Sequence, residues 1–168
     1  MNTLCDVSRS VLIVIDFQER LLPVIGDGAA VLKRGAMLAQ AANALGIPVI
    51  GTAQNPSRLG DNVPEIGRFL DQVIEKEDFN ACASTGFLQA LPPSRDQLLV
   101  TGCEAHVCVL QTVLGLLANK REVRLIADAV GSRRALDKEV ALQRASAAGA
   151  QILTSEMVVF EWLRDCRH

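Results

Sequence analysis

At 168 residues, 49% hydrophobic and 21% charged, the chain has the composition of an ordinary folded domain and reads as one domain over 1–168. Lys and Arg number 17 against 19 acidic residues, and this slight negative balance, with no basic block, excludes the electrostatic footprint of a nucleic-acid partner. Tyr is absent and no apolar run is long enough to cross a membrane, which removes stacking platforms and membrane spans from consideration.

Asp6 and Arg9 interrupt the N-terminal stretch before a secretory apolar core could form. Cysteine occurs at 5, 82, 103, 108 and 166, an odd set without C-x-x-C spacing. Reduced thiols in a cytoplasmic protein are therefore expected. The two histidines, His106 and His168, cannot complete a zinc motif.

Residues 10–16 (SVLIVID) form a β-branched apolar run, the pattern of a strand buried on both faces, and end in the carboxylate of Asp16. Residues 17–27 read as a loop. Apolar residues then recur at helical spacing over 29–45 and stop at Gly46, a favourable position after a helix. A second strand is predicted over 47–53, followed by a polar loop over 54–62. A third covers 72–75 and ends in Lys76, and 77–90 reads as loop and short helix before the Pro92-Pro93 break.

Strand four is predicted over 98–101, and a tight turn at Thr101-Gly102 leads to a helix from about His106 to Asn119. Strands over 122–127 and 151–154, each followed by a helix (137–148 and 155–164), complete the pattern. This alternation predicts an α/β fold: six strands, mostly parallel, with helices on both faces. Such sheets place their sites beyond the carboxyl ends of the strands. Asp16, Lys76 and Cys108 all fall there.

Each of the three has a plain structural reading. Cys108, between Val107 and Val109, fits a packed helix face; Asp16 could cap a loop; Lys76 lies in a charged turn, Glu75-Lys-Glu-Asp78. The functional reading starts from Cys108 near a helix start, where unpaired N–H groups and the local dipole favour a thiolate. Asp16, directly after five apolar residues, needs a partner to be buried. His106 stands two residues from Cys108, and i, i+2 side chains do not face each other on a helix, so it reads as pocket wall. Phe17, Gln54, Phe79, Asn80 and Val107 are the other predicted pocket-lining residues.

Together these residues resemble the isochorismatase-like cysteine hydrolase superfamily, which includes nicotinamidases, N-carbamoylsarcosine amidase and the YcaC-like hydrolases. The resemblance spans about 10–164 and rests on VLIVIDFQ (11–18), EKEDFNA (75–81) and VTGCEAHVCVLQT (100–112). The G-x-E-A-H-V-C-V form, with ADAVGSR (127–133) and TSE (154–156), is most similar to the YcaC and isochorismatase-domain-containing subgroup. It implies a three-layer, Rossmann-like α/β/α fold and a catalytic triad of Cys108, Asp16 and Lys76. Asp16 takes the thiol proton and returns it to the leaving amine. Lys76 stabilises the thiolate, and Cys108 attacks a carbonyl to give a thioester. The resemblance further implies an oxyanion hole from the backbone N–H groups of Glu104 and Cys108, a cis peptide between Cys103 and Glu104, and homo-oligomers from dimer to octamer.

Metal-binding nicotinamidases carry Asp-x-His and a further His after the second strand, whereas residues 54–61 here (QNPSRLGD) hold none. No metal and no cofactor is expected, and nicotinamide is a weak substrate candidate. Where the subgroup often has Thr-Glu-Gln, this chain has Thr52-Ala-Gln54. The expected function is metal-independent hydrolysis of a small amide-like substrate. Two alternatives keep the fold: a vinyl-ether hydrolase of isochorismatase type using Asp16 as acid, and a non-catalytic scaffold. A dinucleotide-dependent oxidoreductase is disfavoured, because DFQERLLP follows the first strand in place of G-x-G-x-x-G.

Overall fold

The structure, a computed structural model, describes residues 4–167; His168 lies outside the described residues. Six strands form one sheet: β1 (Ser10–Ile15), β2 (Val49–Gln54), β3 (Gln72–Lys76), β4 (Gln97–Cys103), β5 (Glu122–Gly131) and β6 (Gln151–Leu153). Its order is β3-β2-β1-β4-β5-β6, and every pairing is parallel. The helices are α1 (Gly28–Ala44), three single turns α2 (Pro56–Leu59), α3 (Pro64–Gly67) and α4 (Phe87–Ala90), then α5 (Leu110–Ala118), α6 (Ala135–Ala147) and α7 (Ser155–Leu163).

The two faces of β1 explain why the sheet is covered on both sides. Val11, Ile13 and Ile15 join an apolar cluster with α5 and α6, while Leu12 and Val14 join a second with α1 and α7. All six β1 residues are buried, as a continuous apolar run in a parallel sheet requires. The result is the three-layer α/β/α arrangement expected from the alternation of elements.

Local differences from the predicted pattern have identifiable causes. β5 runs on to Gly131, with a register shift against β4 between Val100 and Gly102. Residues 126–129 lie in that irregular stretch, and their polar groups point to other elements. The Asp128 carboxylate accepts the Ser155 N–H at 2.7 Å and the Ser155 hydroxyl at 2.6 Å, at the first turn of α7. The Thr101 hydroxyl donates to the Ala129 carbonyl. The helix predicted from His106 begins instead as a π-helical turn over Ala105–Val109, and α5 proper starts at Leu110.

The chain leaves β1 toward β2 and leaves β4 toward β5, in opposite directions across the sheet. A crevice between neighbouring strands at such a reversal is the usual site position in an open α/β sheet. Gly102 makes the close approach there possible. Its φ is +138°, and a Cβ at that position would run into the carbonyl of Ile15. Gly102→Ala should therefore lower unfolding stability by about 2–4 kcal/mol through strain and overpacking at the β1–β4 contact, measurable by urea titration.

Candidate active site

Four adjacent strand ends supply the polar groups of the site in spatial order. Lys76 is the last residue of β3, Gln54 the last of β2, Asp16 follows β1, and the turn after β4 carries Glu104 and leads to Cys108. Asp16 has φ +51°, a left-handed conformation rare for a residue with a Cβ, which turns the chain at the end of β1.

Asp16 and Lys76 form an ion pair with Nζ–Oδ2 2.8 Å and no exposure of either side chain. The other Asp16 oxygen accepts the Thr52 hydroxyl at 2.7 Å. Lys76 Nζ also donates to Gln54 Oε1 at 2.7 Å, and the same oxygen lies 3.8 Å from Cys108 Sγ as acceptor of its S–H. Cys108 is 5% exposed, so the four side chains form one buried cluster.

Gln54 is fixed from three sides. Its Nε2 donates to the Glu77 carbonyl at 2.7 Å. Its backbone N–H donates to Gln18 Oε1 and its carbonyl accepts from Gln18 Nε2, both at 2.9 Å. Gln18 Nε2 also donates to the Gly60 carbonyl at 2.7 Å. Thr52 and Gln18 stand outside the candidate residues that the sequence pattern points to. Thr52 was legible in principle, since period two along β2 puts 52 and 54 on one face. Gln18 lies in a loop and is buried by a pairing with a residue 36 positions away.

The ionisation state of Cys108 differs from the expectation drawn from its place near a helix start. Burial pushes the thiol up, the Asp16 charge adds to this, and Lys76 opposes it; the outcome is about 12. The helix-end effect expected to favour a thiolate is a surface-scale term of up to ~1 kcal/mol, too small against desolvation of this kind. The resting site therefore holds a thiol beside a carboxylate.

The turn that carries Cys108 is anchored to the loop after β5. The Cys103–Glu104 peptide is cis. The Glu104 carbonyl accepts the N–H groups of Val107 and Val109 at 3.0 and 3.2 Å, which winds the chain around Cys108. The Glu104 carboxylate accepts the Arg133 backbone N–H at 3.0 Å and its Nη2 at 2.9 Å. Burial opposes ionisation of Glu104, but the Arg133 hydrogen bonds outweigh it and hold the carboxyl below its usual range. His106 turns to this same loop: Nδ1 is 2.9 Å from the Ser132 hydroxyl and Nε2 3.9 Å from Asp137.

The predicted pocket-lining residues separate. Phe17 is fully buried with its ring against Gly35 of α1, in the cluster on the α1–α7 side of the sheet, whereas Cys108 belongs to the α5–α6 side. Its apolar side chain is consumed by the core. Phe79 is 52% exposed. Asn80 accepts the Cys82 N–H at 3.0 Å and packs where Gly115 has no Cβ. Val107 is half-buried against the α5–α6 cluster. Gln54 alone of this set is held against both Lys76 and Cys108. Among the described residues, no three of His, Cys, Asp and Glu converge in a metal-holding group.

The parallel sheet, its strand order and the helices on both faces are those of an isochorismatase-type α/β/α chain. The Isochorismatase domain family model matches residues 10–157, and the chain belongs to that family. It is 33% identical over 162 residues to isochorismatase domain-containing protein 2A of Mus musculus, covering 95% of this chain and 77% of that one. It is 37% identical over 166 residues to isochorismatase domain-containing protein 1 of Salmo salar, covering 96% of this chain but 58% of the relative's length. Among solved structures, it resembles the MAR1 ribonuclease of Caenorhabditis elegans (TM-score 0.88, 30% identity, 99% and 87% covered). It also resembles YcaC from Pseudomonas aeruginosa with hexane-2,5-diol and covalent acrylamide (TM-score 0.89, 25% identity, 98% and 85% covered).

With a thiol at about 12, wild-type Cys108 should alkylate slowly with iodoacetamide at pH 8, where roughly one part in ten thousand is thiolate. Asp16→Asn removes the group that receives the thiol proton, which outweighs the loss of a charge that raises the thiol, so labelling should slow. Lys76→Met removes the opposing charge and should slow it too. Mass-spectrometric rates on the Cys108 peptide decide the matter; labelling in Asp16→Asn as fast as in wild type, or faster, would break the coupling.

Proposed function

We propose that the chain is a metal-independent cysteine hydrolase that cleaves the C–N bond of a small amide-like substrate through a thioester. The observation that carries this is the buried cluster in which Cys108, Asp16, Lys76 and Gln54 are joined by hydrogen bonds at the strand reversal. A buried thiol without a base is inert; one beside a carboxylate can lose its proton as it attacks.

In this mechanism Sγ bonds to the substrate carbonyl carbon as the thiol proton passes to Asp16. The backbone N–H groups of Glu104 and Cys108 receive the oxyanion. The C–N bond breaks, and the proton on Asp16 goes to the leaving nitrogen. Water then adds to the thioester, gives its proton to Asp16, and the acid departs as Sγ recovers that proton. Lys76 stays an ammonium throughout and stabilises whichever of Asp16 or Sγ is charged.

Several features support this reading. The P. aeruginosa YcaC structure holds covalent acrylamide, an amide-bearing electrophile. The five cysteines are free, and no helix among the described residues is long and apolar enough to cross a membrane. The odd set of unpaired cysteines favours a reducing, cytoplasmic setting; a 34%-identical relative from Phytophthora sojae is a secreted isochorismatase effector. The C. elegans relative is a ribonuclease, but a net charge of −2 and no basic block argue for a small molecule over RNA here. Exposed Leu136 and Val140 on α6, with Met157 and Phe160 on α7, favour association with further copies of the chain.

Purified protein should release ammonia from members of a panel of small primary amides, and Cys108→Ala should reduce this at least about a thousandfold. Activity on a vinyl ether that survives Cys108→Ala and is lost in Asp16→Asn would support the acid-chemistry alternative instead. Arg133→Ala should loosen the Glu104 N–H and lower turnover about tenfold. It should leave iodoacetamide labelling of Cys108 unchanged, because alkylation develops no oxyanion.

A further inference from the structure

The Gln54 side chain is neutral, yet it sits between the site's cation and its nucleophile. Its orientation is determined by chemistry. The Glu77 carbonyl can only accept, so the amide must present Nε2 there, at 2.7 Å. Reversing the amide would oppose two oxygens at Glu77 and set N–H groups against the Lys76 ammonium. Oε1 therefore faces Lys76 Nζ at 2.7 Å and Cys108 Sγ at 3.8 Å, and both of its lone pairs are in use.

The acceptor is held beside the thiol by its own amide bond to the Glu77 carbonyl and by the backbone anchor at Gln18. The Gln18 amide clamps the Gln54 backbone through two 2.9 Å hydrogen bonds, and Gln18 is itself fully buried. An oxygen held at that position favours S–H over a thiolate, and the Asp16 carboxylate is the thiol's other hydrogen-bonding partner. The S–H···O contact is long and weak. An amide N–H would make a shorter and stronger bond to the same oxygen.

We propose that Gln54 is a latch on the nucleophile: its Oε1 holds the Cys108 S–H in the empty site, and an N–H of the bound substrate takes that acceptor over, releasing the thiol proton toward Asp16. This rests on the reading of Cys108 as a nucleophile toward amides and narrows the substrate class. Amides and ureas that keep at least one N–H on the carbonyl should be accepted; N,N-disubstituted amides and esters of the same shape should not unlock the thiol. Gln54 is thereby a catalytic residue and a specificity determinant, and Gln18 is its positioning residue.

The test uses two electrophiles of nearly equal shape, N-methylacrylamide and methyl acrylate, which differ by N–H against O. Each adds to the thiol with one new Sγ–C bond at the β-carbon; the thiol proton ends on the α-carbon, and nothing leaves. Rates on the Cys108 peptide of the intact protein are compared with those of free cysteine. Wild type should favour N-methylacrylamide by about tenfold beyond the free-cysteine ratio, the worth of one hydrogen bond. Gln54→Met, which keeps the stem but has no strong acceptor, should return the ratio to that of free cysteine and label faster with methyl acrylate. A wild-type ratio equal to that of free cysteine, or a preference that survives in Gln54→Met, overturns the latch while leaving the nucleophile intact. Labelling of Cys108 by neither reagent overturns both. The wild-type comparison stands on its own should the variant not fold.

Discussion

The buried ion pair of Lys76 and Asp16 is the constraint on which the rest of the site depends. Taking two charges out of water costs several kcal/mol each, and their attraction offsets this only when further hydrogen bonds complete both groups. The structure supplies those bonds: Thr52 to Asp16 at 2.7 Å and Lys76 to Gln54 at 2.7 Å. Strand β2 therefore ends in two inward polar residues although it lies between apolar layers. A pair of apolar residues would suit that interior at least as well, so retained charges here point to chemistry more than to stability.

The parallel sheet brings the cluster's groups to one end, where the Lys76 side chain spans β2 to reach Asp16. Neighbouring strand ends lie roughly 5 Å apart, so β3, β2, β1 and β4 can each contribute one group to a single polar seam. Only Cys108 arrives from a helical segment, and its position is set by the wide turn whose Glu104 carbonyl binds both Val107 and Val109. That turn is tied to the loop after β5 by Glu104–Arg133 and His106–Ser132. His106 is thus a brace on the turn that carries Cys108, which agrees with its i, i+2 separation from that residue.

The sequence carried the architecture because continuous apolar runs and glycine stops are local signals. The β1 run, Gly46 after α1 and the order of strands and helices could all be read without tertiary information. What escaped was set by distant partners. Gln18 looks like loop until its amide meets the backbone of Gln54. Phe17 looks available for a pocket until Gly35 of α1 opens a space for its ring. The irregular stretch of β5 carries Asp128, whose partner Ser155 lies 27 residues on. The thiol's state follows burial more than the helix end: its neighbours Val107, Val109 and Leu110 are apolar, and desolvation pushes the thiol up.

A thiol held at about 12 changes how the site must work if Cys108 is the nucleophile. The carboxylate that raises the thiol is the same group placed to receive its proton. Moving that proton converts thiol, carboxylate and ammonium into thiolate, acid and ammonium. The number of buried charges is the same on both sides, and Lys76 faces one anion in either state. The step therefore relocates a charge inside the cluster and brings none in from water, so the large desolvation cost of the ion pair is not incurred a second time. What remains is a difference in how well the surroundings solvate the two anions. The neutral amide of Gln54, whose oxygen accepts from the Lys76 ammonium and presents no donor to a thiolate, weights that difference toward the resting thiol.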